Sequence, residues 1–261
     1  MTALSLVIPA FRAGRVLRER LPSLLATLDE QRLDYEVVVV DDGSDDGSDE
    51  LIEGMAGPRL KIVLLEENLG KYGALRAGMK ASRGECRIFT DADIPYDLAV
   101  IPYMVRLVRD LRFHVVVGDR TLPGAVYEQQ LGPVRKVATN LFTHFVRLLV
   151  TGGLHDTQCG IKAFRADAAD ALFPLLQERG FAGDVELLYV ALHHNLAVRR
   201  VPVRLQHQGP STVRPLVDGW RMLRSLFKLR LRRRAGLYDS EELRALASQD
   251  YWSEGGARYE T

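Results

Sequence analysis

Short apolar runs recur along the first half of the chain, each ending in a turn and separated from the next by residues at helical spacing. Leu4 to Ile8 is stopped by Pro9. Glu36 to Val40 runs into the acidic, glycine-punctuated segment Asp41-Asp42-Gly43-Ser44-Asp45-Asp46-Gly47-Ser48. Leu60 to Leu65, Cys86 to Phe89 and His114 to Gly118 complete the series. Runs this short, bounded by turn residues, predict buried strands. Between them, Leu17, Leu21, Leu24, Leu25 and Leu28 mark a helix over Val16 to Leu28, which Pro22 is expected to kink or restart. A second helix opens at Asn68-Leu69-Gly70-Lys71-Tyr72-Gly73 and runs to about Ser82, and a third spans Leu98 to Arg112. Strands alternating with helices make right-handed βαβ units. The expected fold is therefore α/β, with a Rossmann-like, mostly parallel central sheet flanked by helices.

Open sheets of this kind bind ligands in the crevice beyond the carboxyl ends of their strands. Four turns should gather there: Pro9-Ala10-Phe11-Arg12, Asp41 to Ser48, Asn68 to Gly73, and Asp91-Ala92-Asp93. Glycine and aspartate also make good turns with no ligand at all, so one such segment means little. Four on one edge favour a nucleotide site. The sharpest of them is Thr90-Asp91-Ala92-Asp93, two carboxylates one residue apart at the end of a strand. Carboxylate oxygens suit hard cations such as Mg²⁺ and Mn²⁺. Standing alone, such a pair is more often a solvated acidic loop than a metal site.

Composition narrows the field. The chain has 261 residues, 47% hydrophobic and 26% charged, enough for one sizeable domain with appendages. A net charge of +1 argues against a global attraction to nucleic acid. Cys86 and Cys159 are the only cysteines, and Met1 to Ser5 lacks the basic start and apolar region of a secretory signal. A cytoplasmic setting without a disulfide is expected. The longest apolar segment, Leu141 to Val150, is interrupted by His144 and Arg147 and falls short of the ~20 residues that span a bilayer. His155, Asp156 and Cys159 have no matching second cluster, so zinc is not expected.

Val38-Val39-Val40-Asp41-Asp42-Gly43-Ser44, Asn68-Leu69-Gly70-Lys71, Arg83-Gly84 and Asp91-Ala92-Asp93 stand in the order seen in inverting family 2 glycosyltransferases, and the chain resembles these from Leu4 to about Leu205. His155-Asp156-Thr157-Gln158-Cys159-Gly160-Ile161-Lys162 and Gly183-Asp184-Val185-Glu186-Leu187-Leu188 resemble a narrower group, the polyprenyl- and dolichyl-phosphate glucosyl and mannosyl synthases. The resemblance implies a GT-A fold with a nucleotide-sugar half (about 1–118) and an acceptor half (about 119–205). It also implies roles. Asp91 and Asp93 would hold Mg²⁺ or Mn²⁺ on the donor diphosphate, stabilising the departing nucleotide. Pro9, Ala10, Phe11, Asp41, Asp42 and Ala92 would line the nucleotide, with Lys71 at a helix start near its phosphates. Arg120, Arg135 and Thr139 would grip the acceptor phosphate, since arginine meets phosphate through paired hydrogen bonds. Asp184 would orient the acceptor or act as base, and Glu186 would be structural.

The chain departs from the family pattern in places. Arg12-Ala13 replaces the usual Asn-Glu after the first strand. Tyr72 stands for the second glycine of Gly-Lys-Gly, and Pro95 for a glutamine common in mannosyl members. The last departure leaves two side chains, rather than three, to offer a metal from this loop.

Beyond Leu205, a loop carrying Thr212 in place of the usual lysine leads into a basic helix, Val213 to Arg234. Arg221, Arg224, Lys228, Arg230, Arg232, Arg233 and Arg234 follow one another with no acid between, and Trp220, Leu223, Leu226, Phe227 and Leu231 add apolar area. Residues 206–238 are read as this loop and helix, and 239–261 as a loosely packed tail. A helix of this kind either lies on an anionic membrane surface or docks on the protein with its arginines solvated. The resulting expectation is a metal-dependent inverting hexosyltransferase, peripheral at the cytoplasmic membrane face, acting on a nucleotide sugar (UDP-glucose ahead of GDP-mannose) and a polyprenyl phosphate. A sugar-hydroxyl or soluble acceptor is the alternative, and a nucleotide-binding protein without turnover a more distant one.

Overall fold

The structure is a computed structural model describing residues 2–126, 156–180, 182–206 and 215–249. Seven strands form one sheet: β1 (Leu4–Ala10), β2 (Tyr35–Asp41), β3 (Leu60–Leu64), β4 (Cys86–Phe89), β5 (Val115–Asp119), β6 (Lys162–Arg165) and β7 (Val198–Pro202). Their order across it is β3-β2-β1-β4-β6-β5-β7. All pairings are parallel except those of β6, which runs against both β4 and β5. The described helices are α1 (Gly14–Glu30), α2 (Ser48–Glu53), α3 (Lys71–Ala81), α4 (Ile101–Arg109), α5 (Ala166–Leu172), α6 (Gly183–His193), α7 (Pro215–Arg234) and α8 (Glu241–Gln249).

Period-two alternation in β1 sorts the core. Leu4, Leu6 and Ile8 pack with Leu17, Leu21, Leu24 and Leu28 of α1 and with Met104 and Val108 of α4. Val7 faces the other way, toward Leu75 and Met79 of α3 and the buried residues of α5 and α6. Helices thus cover both faces of the sheet, as a mostly parallel sheet requires.

Four expectations change. First, α1 runs unbroken through Pro22; the proline is exposed, so the carbonyl it leaves without a helical partner can meet water. Second, the helix expected from Leu98 begins as a 3-10 turn, Leu98–Val100, and α4 ends at Arg109. Third, β7 is shorter than the expected Leu196 to Leu205, although single bridges at Arg204 and Leu205 extend it. Fourth, the tail from Asp239 is not loose over its described part: Tyr238 and Leu243 are buried, and α8 packs on the body. The helix expected over Pro133 to Val150, with Arg135 and Thr139, and the loop carrying Thr212 lie outside the described residues.

Candidate functional site

Because β1, β2, β4 and β5 run parallel, Ala10, Asp41, Thr90 and Asp119 finish on one edge. The reversed β6 starts where those strands end: Lys162 lies opposite both Phe89 and Val117. The segment Asp156 to Ile161 is thereby delivered to the edge that carries Asp91 and Asp93.

A buried charge cluster sits beneath that edge. Lys162 is fully buried; its ammonium donates to the Cys159 carbonyl at 2.7 Å and pairs closely with Asp184. Tyr72 Oη donates to the same Asp184 oxygen at 2.9 Å. Lys71 Nζ lies 2.7 Å from Asp91 Oδ1 and 3.8 Å from Asp184 Oδ2, linking the buried carboxylate to the one at the surface. Burial would lower the Lys71 ammonium, but the two carboxylates outweigh it and raise it well above the usual lysine value. Lys71 is therefore cationic throughout the neutral range. Gly70 just before it sits at φ +77°, where a side chain would be strained and would meet the Arg179 carbonyl. The Tyr72 departure now has a reason. The ring fills the space against Gly183 and its hydroxyl reaches Asp184.

The return segment explains itself residue by residue. Asp156 accepts from the Arg120 backbone at 2.9 Å and from its Nε and Nη2 at 2.7 Å each, fixing the guanidinium plane at the end of β5. The Gly160 amide donates to Tyr96 Oη at 2.9 Å. Cys159 is wholly buried, and desolvation pushes its thiol up to about 11, so it is a protonated packing group. At Gly160 an added Cβ would lie 1.9 Å from Asp91 Oδ2. Gly160→Ala should therefore displace the Asp91 carboxylate and lower turnover about 100-fold, the scale expected when a reacting group is misplaced by about 1 Å. Melting temperature should hardly change. Initial rates beside a thermal melt check this, and an unaltered rate would mean that the carboxylate position is immaterial.

The turns after β1, β2 and β3 are interlocked. Asp41 accepts from the Ser44 amide and hydroxyl at 2.9 and 2.6 Å, so both its oxygens hold their own turn. Asp42 is buried, accepts from the Leu69 amide at 2.8 Å, and has its carboxyl raised mainly by desolvation. The departure at Arg12 is compensated locally. Its guanidinium binds both oxygens of Asp45, at 2.7 and 2.8 Å, and lies over the exposed ring of Phe11. Pro9 and Ala10 are the last two residues of β1, Ala10 buried.

Asp93 forms no ion pair among the described residues. Its carboxyl is raised by burial and by the neighbouring charge of Asp91. Two carboxylates that repel each other at a partly open strand end are a donor set that a hard divalent cation would relieve, so the residues present fit Mg²⁺ or Mn²⁺. Among the described residues no group of three acidic, histidine or cysteine side chains converges on a common point.

Sequence reasoning missed Tyr96, which holds the Gly160 amide, and Lys162. Lys162 was part of a recognised segment without a role, yet it is the principal partner of Asp184. Its signal was a lysine inside the apolar run Ile161 to Phe164.

A mostly parallel seven-stranded sheet with helices on both faces is the GT-A architecture that glycosyltransferase structures share. Residues 5–173 match glycosyl transferase family 2, and the chain belongs to that family. Among curated relatives, it is 31% identical over 254 residues to the dolichyl-phosphate beta-glucosyltransferase of Drosophila melanogaster, covering 90% of this chain and 76% of that protein. The Dictyostelium discoideum enzyme of the same name is 28% identical over 251 residues, with 90% and 76% covered. The crystal structure of glucosyl-3-phosphoglycerate synthase from Mycobacterium tuberculosis with Mn²⁺, UDP and phosphoglyceric acid superposes with a TM-score of 0.62 at 21% identity, covering 92% of this chain and 80% of that one. No described helix is long and apolar enough to cross a membrane.

Proposed function

We propose that this glycosyltransferase moves glucose from UDP-glucose to a polyprenyl phosphate with inversion at the anomeric carbon, at the cytoplasmic face of a membrane. The observation that carries the reading is the delivery of Asp156 to Gly160 onto Arg120 and Asp91, in a chain matched over nine-tenths of its length by dolichyl-phosphate glucosyltransferases. Phe11 and Asp42 meet the nucleoside, with Asp41 holding the turn between them and Pro9, Ala10 and Ala92 lining the floor. Asp91 and Asp93 hold Mg²⁺ or Mn²⁺, which when bound supplies charge neutralisation for the leaving diphosphate.

Arg120, its plane fixed by Asp156, meets the acceptor phosphate, with Arg135 and Thr139 proposed as its companions. A phosphate monoester is largely dianionic near neutral pH and needs no base to become a nucleophile. One of its oxygens forms the new bond to the anomeric carbon as the bond to UDP breaks, and UDP leaves with the electron pair. Attack from the face opposite the leaving group turns an α-linked donor into a β-linked product. Asp184 fits an orienting role better than that of a base, because its carboxylate is already shared among Lys162, Tyr72 and Lys71.

The test is incubation of the chain with labelled UDP-glucose or GDP-mannose, Mn²⁺ and a short polyprenyl phosphate. Glucose should enter the lipid product. Label appearing only on a sugar hydroxyl or a soluble acceptor would overturn the acceptor assignment, and transfer of mannose alone would overturn the donor.

A further inference from the structure

Helix α7 packs against the body along one face. Ser225 donates to Glu178 Oε2 at 3.1 Å, Leu229 is buried, and Arg232 reaches Glu178 at 2.6 Å and Glu186 at 3.3 Å. These positions are four and three apart, the spacing of one helix face. Phe227 and Leu231 lie off that face, also four apart, and each is 63% exposed. Arg224, Lys228, Arg233 and Arg234 are exposed around them, and Leu237 extends the apolar row just past the helix end. The sequence offers no acid between Arg221 and Arg234 to neutralise this surface.

A phenylalanine and a leucine held in water within a cationic rim are mismatched to solvent. They match an interface that is apolar beneath and anionic above, which is the headgroup layer of an acidic bilayer. The helix is also tied to the site. Glu178, which Ser225 and Arg232 hold, is followed by Arg179, whose carbonyl accepts from the Tyr72 amide at 3.1 Å at the start of α3. Lys71 and Asp91 lie one step further on.

We propose that the Phe227–Leu231 face of α7 is a docking surface for anionic lipid, seated next to the catalytic edge; its purpose, bringing the enzyme to a membrane-embedded acceptor, rests on the acceptor reading above. Arg232, paired inward with Glu178 and Glu186, fixes which face of α7 meets the body.

Vesicle flotation of the full chain, at about 0.1 M salt so that weak surface attraction is partly screened, tests this without donor or acceptor. The chain should float with phosphatidylcholine vesicles containing phosphatidylglycerol and stay behind with phosphatidylcholine alone. Phe227→Ser/Leu231→Ser should lower that partitioning at least about tenfold, as loss of two inserted apolar side chains demands. Arg224→Glu/Lys228→Glu should act in the same direction. All variants should keep the native circular dichroism and transfer to a short, water-soluble acceptor phosphate at the original rate. Equal flotation of the Ser variant, or binding of RNA through these residues in place of vesicles, would overturn the proposal. A chain that floats but glucosylates only soluble acceptors would keep the docking face and sink the lipid-acceptor reading.

Discussion

Replacing Asp91 by alanine should reduce transfer at least about a thousandfold and leave the fold standing. The loss follows from its place: a carboxylate at the end of β4, paired with Lys71 at 2.7 Å and pressed against Gly160. If the pair holds the proposed cation, removing Asp91 leaves Asp93 and water to do so. The several kcal/mol of charge stabilisation that such an ion gives a leaving diphosphate is then largely forfeited, which is about 10³ or more in rate. Stability should hold because the Asp91 side chain is over a third exposed and its partner Lys71 retains Asp184. Asp93→Ala should behave alike. Initial rates over a Mn²⁺ titration, alongside calorimetric melting, measure both effects; a variant with full turnover at low Mn²⁺ would dismantle the metal assignment.

Asp184→Ala should do the opposite, acting first on the fold. Lys162 is wholly buried and Asp184 nearly so. Deleting one member strands an uncompensated charge in the interior, at a cost of about 3–5 kcal/mol. Total stabilities are about 5–15 kcal/mol, so this is a large share, and melting should fall by roughly 10 °C. Lys162→Met should cost a similar amount, while Lys162→Met combined with Asp184→Ala should recover much of the loss, because no lone charge remains.

The pair also sets an acid limit. Burial alone would raise the Asp184 carboxyl, but Lys162 and Lys71 outweigh it and hold it below the ordinary carboxylate range. A folded value below the unfolded one means the stabilisation is complete above about pH 4 and is lost as pH falls through the lowered value. Chemical denaturation at several pH values should show that acid slope in the native chain and a flatter one in Asp184→Ala. Additive single variants would deny the pairing.

The strands of the first half were legible because each is a β-branched or apolar run bounded by a turn, and the sheet direction followed from the helices between them. β6 was not. It begins with Lys162 and ends with Arg165, and two charges in four residues look like surface. Both are buried, Lys162 against Asp184 and Arg165 beside Asp167, and neither pairing is visible without the fold. Asp156 and Arg120 lie far apart in sequence, so their bidentate contact emerges only when β5 and the return segment meet. The body contacts of the carboxyl end were hidden for a related reason. Tyr238 stands in a turn beside Leu237 within a largely charged stretch, and its partner Glu186, whose oxygen accepts its hydroxyl at 2.5 Å, sits on α6. The Asp91–Asp93 pair was readable as a metal candidate from its own chemistry, whereas the close approach of Gly160 that fixes its position was not.

The reversed strand has one more consequence. Because β6 opposes its neighbours, the chain that departs from the end of β5 at Asp119 re-enters the sheet at Lys162 on the same edge. The segment between those two points leaves and rejoins the sheet on the edge that carries Asp91 and Asp93. Such a detour can be lengthened, shortened or exchanged while β1 to β4 stay in register.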